Sequence, residues 1–144
     1  MENFKNWLES SQNSMQGFHV TNNENVQSIL QNGFDLGKSR KFELGLGVYL
    51  SPSLWGLKPT QDQSIIECNI NTSNFLDITS QSNFESFSSE EQKSLVDLLH
   101  YVPPNIANSP LMKKVQQTFR GLVLQRMIVC YHPEDVKPHS IVGK

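Results

Sequence analysis

Short runs of β-prone residues, separated by glycine, proline and polar residues, dominate the chain after residue 44. Each run is rich in Val, Ile, Leu, Tyr or Cys and is long enough only for a short strand. The runs are "GVYLS" (47–51), "SIIECNI" (64–70), "NFLDI" (74–78), "RGLVLQ" (120–125) and "RMIVCYH" (126–132). Strands this short and numerous favour a largely antiparallel β-core.

Segments with helical periodicity lie before and between these strands. Apolar residues recur at helical spacing within 4–10, 24–32, 88–102 and 109–119. Helices placed in this way around short strands indicate an α+β domain rather than a doubly wound parallel sheet. A chain of 144 residues suits a single domain, and we expect one over residues 1–144.

A strand and a helix form the first unit of this pattern. "GFHVT" (17–21) alternates in the way typical of a strand, with His19 facing away from its apolar neighbours. Asn22 or Asn23 is expected to cap the helix that follows. Gly33 is expected to end that helix in the left-handed conformation.

Composition argues against nucleic acid and membranes as partners. Lys and Arg number 12 against 14 Asp and Glu, the net charge is −2, and no run of five or six basic residues occurs. Binding to duplex nucleic acid depends on many Lys and Arg at phosphates, so we do not expect such a partner. No apolar run approaches the length of a membrane span.

Cysteine usage and the N-terminal residues predict an intracellular location. Cys68 and Cys130 are the only cysteines, and both lie in apolar strand-like runs. We therefore expect two buried free thiols rather than a disulfide framework. "MENFKNWLESSQNS" at the start contains no apolar segment of the signal-peptide type. These features predict a cytoplasmic protein, or an effector delivered into a host cytosol.

Common catalytic fingerprints are absent from the sequence, but an ordered set of motifs is present. The chain has no P-loop, no G-x-G-x-x-G, no H-E-x-x-H and no G-x-S-x-G. It carries, in this order, "FHVT" (18–21), "SILQNGFDLG" (28–37), "GLGVYLS" (45–51) and "IVCYHPEDVKP" (128–138). In order and spacing these stretches resemble the ADP-ribosyltransferase superfamily, in the branch similar to the catalytic domain of poly(ADP-ribose) polymerases.

The resemblance implies a fold, a substrate and a partner. The implied fold is one ADP-ribosyltransferase-like domain with a split, mostly antiparallel β-core flanked by short helices. NAD would enter as a substrate, and a protein would accept the ADP-ribose. No metal is expected, because the four histidines and two cysteines show no ligand spacing.

The resemblance also implies roles for individual residues. The histidine of the first motif, here His19, bonds a hydroxyl of the adenosine ribose, and the main chain of Val20 holds the nicotinamide carboxamide. The tyrosine of the second motif, here Tyr49, stacks on the nicotinamide ring. The glycines before this tyrosine let the backbone approach the ligand closely. The other expected binding residues are Thr21, Gly47, Ser51 and Trp55.

The third motif departs from the family pattern. Many members carry there a glutamate that bonds the nicotinamide ribose and stabilises an oxocarbenium-like transition state. The same alignment puts Met127 at the glutamate position and Gln125 two residues before it. Three interpretations remain open. Gln125 does the polar work in a shifted alignment, the acceptor's own carboxylate assists a mono-transferase, or the domain binds a nucleotide without turnover.

Other charged side chains are further candidates. Glu43 lies in the polar loop that borders the NAD donor in the family. Glu67 lies within a strand, where a glutamate usually occupies the solvated face, so a structural role is favoured. Lys38, Arg40 and Lys41 can meet the charge of a pyrophosphate, although a solvated loop tip is the favoured interpretation.

These expectations favour a mono-ADP-ribosyltransferase that moves ADP-ribose from NAD to a protein acceptor and releases nicotinamide. A small domain of this kind suits an effector or a toxin. The alternatives are an NAD glycohydrolase, a module that binds NAD or ADP-ribose without catalysis, and an α+β interaction domain whose motif match is accidental.

Overall fold

The structure describes residues 14–38 and 43–143, which include seven strands and three α-helices. In chain order this computed structural model has β1 (Ser14–Asn22), α1 (Asn23–Asn32), β2 (Val48–Leu50), β3 (Gln63–Asn71), β4 (Phe75–Asp77), α2 (Ser89–Asp97), α3 (Pro110–Thr118), β5 (Gly121–Val123), β6 (Ile128–Cys130) and β7 (Val136–Gly143). Four short 3-10 turns occupy Leu36–Lys38, Phe84–Ser86, Ile106–Asn108 and Pro133–Asp135. The helix expected over 4–10, Arg40, Lys41 and the side chain of Lys38 lie outside the described residues.

The strands form two sheets. β1, β3 and β7 make a three-stranded antiparallel sheet with β3 in the centre. The second sheet has the order β2-β6-β5-β4 and is antiparallel except where β4 lies beside β5. The predicted α+β class, with a split and mostly antiparallel β-core, is confirmed.

The four-stranded sheet is the middle layer, because both of its faces are buried. One face packs against the three-stranded sheet and α1, and the other packs against α2 and α3. The first face includes Phe75, Val123 and Ile128, and the second includes Leu76, Leu122 and Val129. Since side chains alternate between the faces of a strand, a strand buried on both faces is a continuous apolar run in the sequence.

Two of the helices begin where their sequence signals indicate. α2 follows Ser88, which forms a capping box with Glu91. α3 begins at Pro110, after Ser109, whose hydroxyl accepts a hydrogen bond from the amide of Met112 at 3.2 Å. No helix in the described ranges is long and apolar enough to cross a membrane.

The first helix differs from expectation at both of its ends. Asn22 precedes α1, but its side chain makes no capping bond. Asn23 instead accepts a hydrogen bond from the buried hydroxyl of Ser64, which ties the start of α1 to β3. Gly33 ends the helix with φ +81° and ψ −172°, so its φ has the expected sign, but its backbone is not left-handed helical.

The strands predicted from the sequence end at His132, because the proline and charged residues of "HPEDVKP" (132–138) indicate a turn. Only Pro133–Asp135 forms the turn, and β7 follows it and pairs with β3. Pro138 and the polar residues of this segment hide its strand character, because proline is tolerated only at sheet edges or bulges. Arg120 holds the turn in place through an ion pair with Asp135 at 2.7 Å.

The two thiols are buried and free, as predicted. Cys68 lies on β3 and Cys130 on β6, in the core between the two sheets. Burial, with a smaller contribution from the charge of Glu67, raises the pKa of Cys68 to about 12. Burial likewise raises the pKa of Cys130. Burial therefore favours the protonated form of both thiols, which is the less nucleophilic form.

We expect Ile66 to be a principal core residue, because it is 0% exposed at the centre of β3. Ile66→Ala should lower the free energy of unfolding by about 2–5 kcal/mol, since it removes buried methylenes and leaves a cavity. Its partner on β7, Ile141, is 43% exposed and gives a matched control. Ile141→Ala should cost less than about 1 kcal/mol in urea unfolding, and equal losses would contradict this core assignment.

Candidate functional site

A cleft of about 630 Å³ opens where β1 and β2 separate. Its walls come from the end of β1, one face of α1, the residues that follow α1, the loop before β2 and β2 itself. The volume lies within the range of about 300–1,000 Å³ that is typical of small-molecule sites. Aromatic rings and polar groups share the lining, so the cleft suits a ligand with a flat ring and hydrogen-bonding groups.

The cleft exists because two edge strands part after a single rung. Phe18 and Ser51 exchange both backbone hydrogen bonds at 2.8 Å. In an antiparallel pair, the next such rung would join Val20 and Tyr49. That rung does not form within the described ranges, and the Nδ1–H of His19 donates instead to the Tyr49 carbonyl oxygen at 2.9 Å. The imidazole takes the place of the missing rung.

The backbone of Val20 faces the side of β1 on which the rung is missing. Backbone groups along a strand alternate in direction, so the amide and carbonyl of Val20 point the same way as those of Phe18, away from β3. Val20 also lines the cleft. A donor and an acceptor on one residue are complementary to a primary carboxamide, which offers one acceptor and two donors.

Burial and hydrogen bonding determine the protonation state of His19. Burial lowers the pKa of His19, and the hydrogen bond to Tyr49 partly opposes this shift, so the ring is neutral at pH 7. A carbonyl oxygen only accepts, which places the proton on Nδ1 and a lone pair on Nε2. Phe34 packs edge-on against the ring at a centroid distance of 4.8 Å. Nε2 has no hydrogen-bond partner among the described residues, so it can accept a bond from a ligand hydroxyl.

The hydroxyl of Tyr49 is bound within the protein, which leaves its ring for a ligand. The phenol oxygen accepts from the Leu44 amide at 2.9 Å and donates to the Gly45 carbonyl at 2.6 Å. Burial raises the pKa of Tyr49 to about 12, and the negative charge of Glu43 adds to the shift while the Leu44 amide opposes it. The phenol is therefore protonated at physiological pH, and its ring lines the cleft.

The two glycines of "GLG" are required by the protein's own packing. Gly45 has φ +111°, a backbone conformation that residues with side chains rarely adopt. A Cβ on Gly47 would lie 2.7 Å from the carbonyl oxygen of Cys130 on β6. These glycines thus have a structural reason that does not involve a ligand, and Gly47 also lines the cleft.

The structure separates the two residues proposed for the third motif. Met127 lines the cleft and also packs against the core beneath α2 and α3. Gln125 is exposed in the tight turn between β5 and β6, which closes with a hydrogen bond from the Leu124 amide to the Met127 carbonyl at 2.8 Å. The shifted alignment that gave Gln125 the polar role therefore has no support from its position.

Of the remaining expected binding residues, one lines the cleft and two do not. Thr21 is buried and lines the cleft. Ser51 does not line it, and its hydroxyl donates to the Ser53 carbonyl at 2.6 Å. Trp55 is 86% exposed and also lies outside the lining, so it does not wall the pocket as expected.

Charge within the described lining is negative. Asp35 and Glu43 both line the cleft, and no Lys or Arg does so in the part of the chain that the structure describes. Glu67 lies on β3 and is not among the lining residues, which fits the structural role favoured for it. No group of three or more His, Cys, Asp or Glu that could hold a metal ion occurs within residues 14–38 and 43–143.

Helix α1 contributes a wall to which the sequence analysis assigned no ligand-binding role. Asn25, Ser28 and Ile29 share one helical face and line the cleft. Their i, i+3, i+4 spacing in the sequence indicates a shared helical face, on which two polar side chains lie beside the apolar stripe. Phe34 lies within the motif 28–37, but its contact with His19 could not be predicted, because it depends on where the chain goes after α1.

Comparisons with known proteins leave the family open. Models of known protein families gave no match to this chain, and a search of curated proteins gave none either. The functional assignment therefore depends on the motifs and the geometry of the cleft.

We expect His19 to be the neutral Nδ1–H tautomer at pH 7, as measured by two-dimensional NMR of the ring nitrogens. Unfolded His19 takes up a proton near pH 6.5, whereas the folded residue does so only at lower pH. The free energy of unfolding should therefore fall as the pH drops below 6.5 through the lowered pKa. His19→Gln should weaken this fall. An Nε2–H tautomer would contradict the assignment.

Proposed function

We propose that this protein is a mono-ADP-ribosyltransferase, which transfers ADP-ribose from NAD to a protein acceptor and releases nicotinamide. One observation carries the proposal. His19, Tyr49 and Met127, the three positions marked by the resemblance to ADP-ribosyltransferases, line one cleft although they lie far apart in the sequence. An accidental motif match gives no reason for the three to converge.

The nicotinamide end of NAD fits the gap between β1 and β2. Its carboxamide would bond the amide and carbonyl of Val20, in place of the rung that Tyr49 does not supply. Its ring would stack on Tyr49, whose orientation is held by the bonds of its hydroxyl to Leu44 and Gly45. Together the two interactions would fix the orientation of the nicotinamide ring and so of the glycosidic bond.

A ribose hydroxyl is the natural partner of His19. The neutral imidazole offers only an acceptor at Nε2, and a hydroxyl offers a donor. The pKa of His19 is lowered by burial, so this acceptor remains in the neutral range of pH. An anionic group such as a phosphate would find no donor at this nitrogen, which favours a sugar hydroxyl at this point of the cleft.

The apolar side chain at the third position limits the reaction. Met127 can neither bond the nicotinamide ribose nor accept a proton from a sugar hydroxyl. Extension of a polymer requires activation of such a hydroxyl, so transfer of a single unit is favoured. In this reaction the acceptor's own carboxylate can attack without a general base.

A module that binds NAD or ADP-ribose without turnover is the second candidate. The observation that favours it is the same apolar Met127 in the lining, since loss of an acid–base group typically costs about 10²–10⁴-fold in rate. Binding through Val20, Tyr49 and His19 does not depend on a charged third residue.

The decisive reaction combines purified protein, NAD labelled in the adenylate and a cell lysate. We expect nicotinamide release and label on protein. Both should fall about tenfold or more in His19→Ala and Tyr49→Ala, because each variant loses a direct ligand contact. His100→Ala and Tyr101→Ala are matched controls, since both residues are exposed and lie outside the cleft, and they should keep full activity.

Each other outcome of this reaction has its own meaning. Nicotinamide release without labelled protein would indicate an NAD glycohydrolase. NAD binding without release would indicate the binding module. Absence of both binding and release, with the circular dichroism of a folded protein, would leave an α+β interaction domain whose motifs match by accident.

Met127→Glu tests the third position separately. It should raise nicotinamide release about tenfold or more relative to Met127→Gln, which has the same shape and no charge. Both variants put a polar group against the core and should cost about 1–3 kcal/mol of stability, which thermal melting would show. Equal rates in the two variants would contradict a position for Met127 beside the nicotinamide ribose.

A further inference from the structure

Two carboxylates of the described residues line the cleft, and the protein uses them differently. Asp35 accepts a hydrogen bond from the Gly37 amide at 2.9 Å and so holds the turn after α1. The carboxylate of Glu43 makes no hydrogen bond or ion pair with any described residue. With Met127 uncharged, Glu43 is the lining residue whose negative charge is not engaged by the fold.

The backbone that carries Glu43 is firmly held. Its neighbour Leu44 is 0% exposed, donates its amide to the Tyr49 hydroxyl at 2.9 Å and accepts from the Tyr131 hydroxyl at 2.7 Å. Glu43 itself forms a β-bridge with Gly45. The carboxylate is thus exposed but projects from a fixed point at the rim of the cleft.

The charge of Glu43 acts on the side of the cleft that holds Tyr49. Both residues line the cleft, and the amide of Leu44, the residue after Glu43, donates to the Tyr49 hydroxyl at 2.9 Å. The charge of Glu43 accordingly adds to the effect of burial in raising the pKa of the Tyr49 phenol. In the proposed pose, the nicotinamide ring stacks on Tyr49. The bond that breaks joins this ring to its ribose, so in this pose the carboxylate of Glu43 would share the cleft with the reacting atoms.

We propose that Glu43 stabilises the positive charge that develops on the nicotinamide ribose as nicotinamide leaves. The inference rests on the proposed function and deepens it. It assigns to Glu43, in the loop before β2, the electrostatic role that the uncharged Met127, in the turn before β6, cannot fill.

The proposed step is balanced in charge and atoms. The C1′–N bond of NAD breaks, and its electron pair neutralises the pyridinium nitrogen, which leaves as nicotinamide. The positive charge moves to C1′ and the ring oxygen of the ribose, where the Glu43 carboxylate attracts it. A lone pair of the acceptor then forms the new bond to C1′. A carboxylate acceptor has no proton to lose, and a hydroxyl or amine acceptor releases its proton to water.

Glu43→Gln in the full chain tests the inference with NAD as the probe. We expect kcat for nicotinamide release to fall about tenfold or more, because the charge acts on the transition state. The Kd for NAD, measured by calorimetry, should change by less than about threefold, since the effect lies in kcat. Glu90→Gln is the matched control, an exposed glutamate in the first turn of α2. It should leave both quantities unchanged.

A rescue variant and the remaining outcomes separate the two proposals. Adding Met127→Glu to Glu43→Gln should restore nicotinamide release, because a second carboxylate then faces the cleft. An unchanged kcat in Glu43→Gln overturns the role of Glu43 and leaves the transferase standing. A loss in Asp35→Asn but not in Glu43→Gln also overturns it. If the parent protein binds NAD without releasing nicotinamide, the transferase itself fails, and the role of Glu43 fails with it.

Discussion

One backbone rung, between Phe18 and Ser51, joins the edges of the two sheets and creates the cleft beside it. If the strands continued to pair, the backbone amides and carbonyls of Val20 and Tyr49 would bond each other, and no cleft would open between the strands. The imidazole of His19 satisfies the Tyr49 carbonyl instead, which keeps the strands apart without an orphaned acceptor. The cleft is therefore a gap in a β-ladder, with hydrogen-bonding groups still in place.

The side chains at this gap each have one end bonded to the protein and one end toward the cleft. His19 uses Nδ1 for the fold and keeps Nε2, and Tyr49 uses its hydroxyl for the fold and keeps its ring. This division explains how motif residues can be necessary for the local structure and for a ligand at once. It also explains why Gly45 and Gly47 accompany them, since their constraints come from the backbone alone.

The sequence was a good guide wherever a local pattern decides the structure. The apolar runs predicted β2 to β6, and the motif spacing placed His19, Tyr49 and Met127, which the fold brings to one cleft. It failed where tertiary pairing decides. The residues of β7 become a strand because β3 has a free edge, and Trp55 leaves the cleft because the chain turns away after the Ser51 rung. The absence of a described hydrogen-bond or ion-pair partner for the Glu43 carboxylate likewise depends on how the loop before β2 folds.

The bound hydroxyl of Tyr49 has a thermodynamic consequence. A side chain that a ligand must immobilise costs about 0.5–1.5 kcal/mol of conformational entropy on binding. The ring of Tyr49 is already held by Leu44 and Gly45, so that cost falls on folding rather than on association. A phenylalanine would present the same flat surface from a looser loop. If the proposed stacking on Tyr49 holds, its hydroxyl would add to the affinity through preorganisation, without touching the ligand.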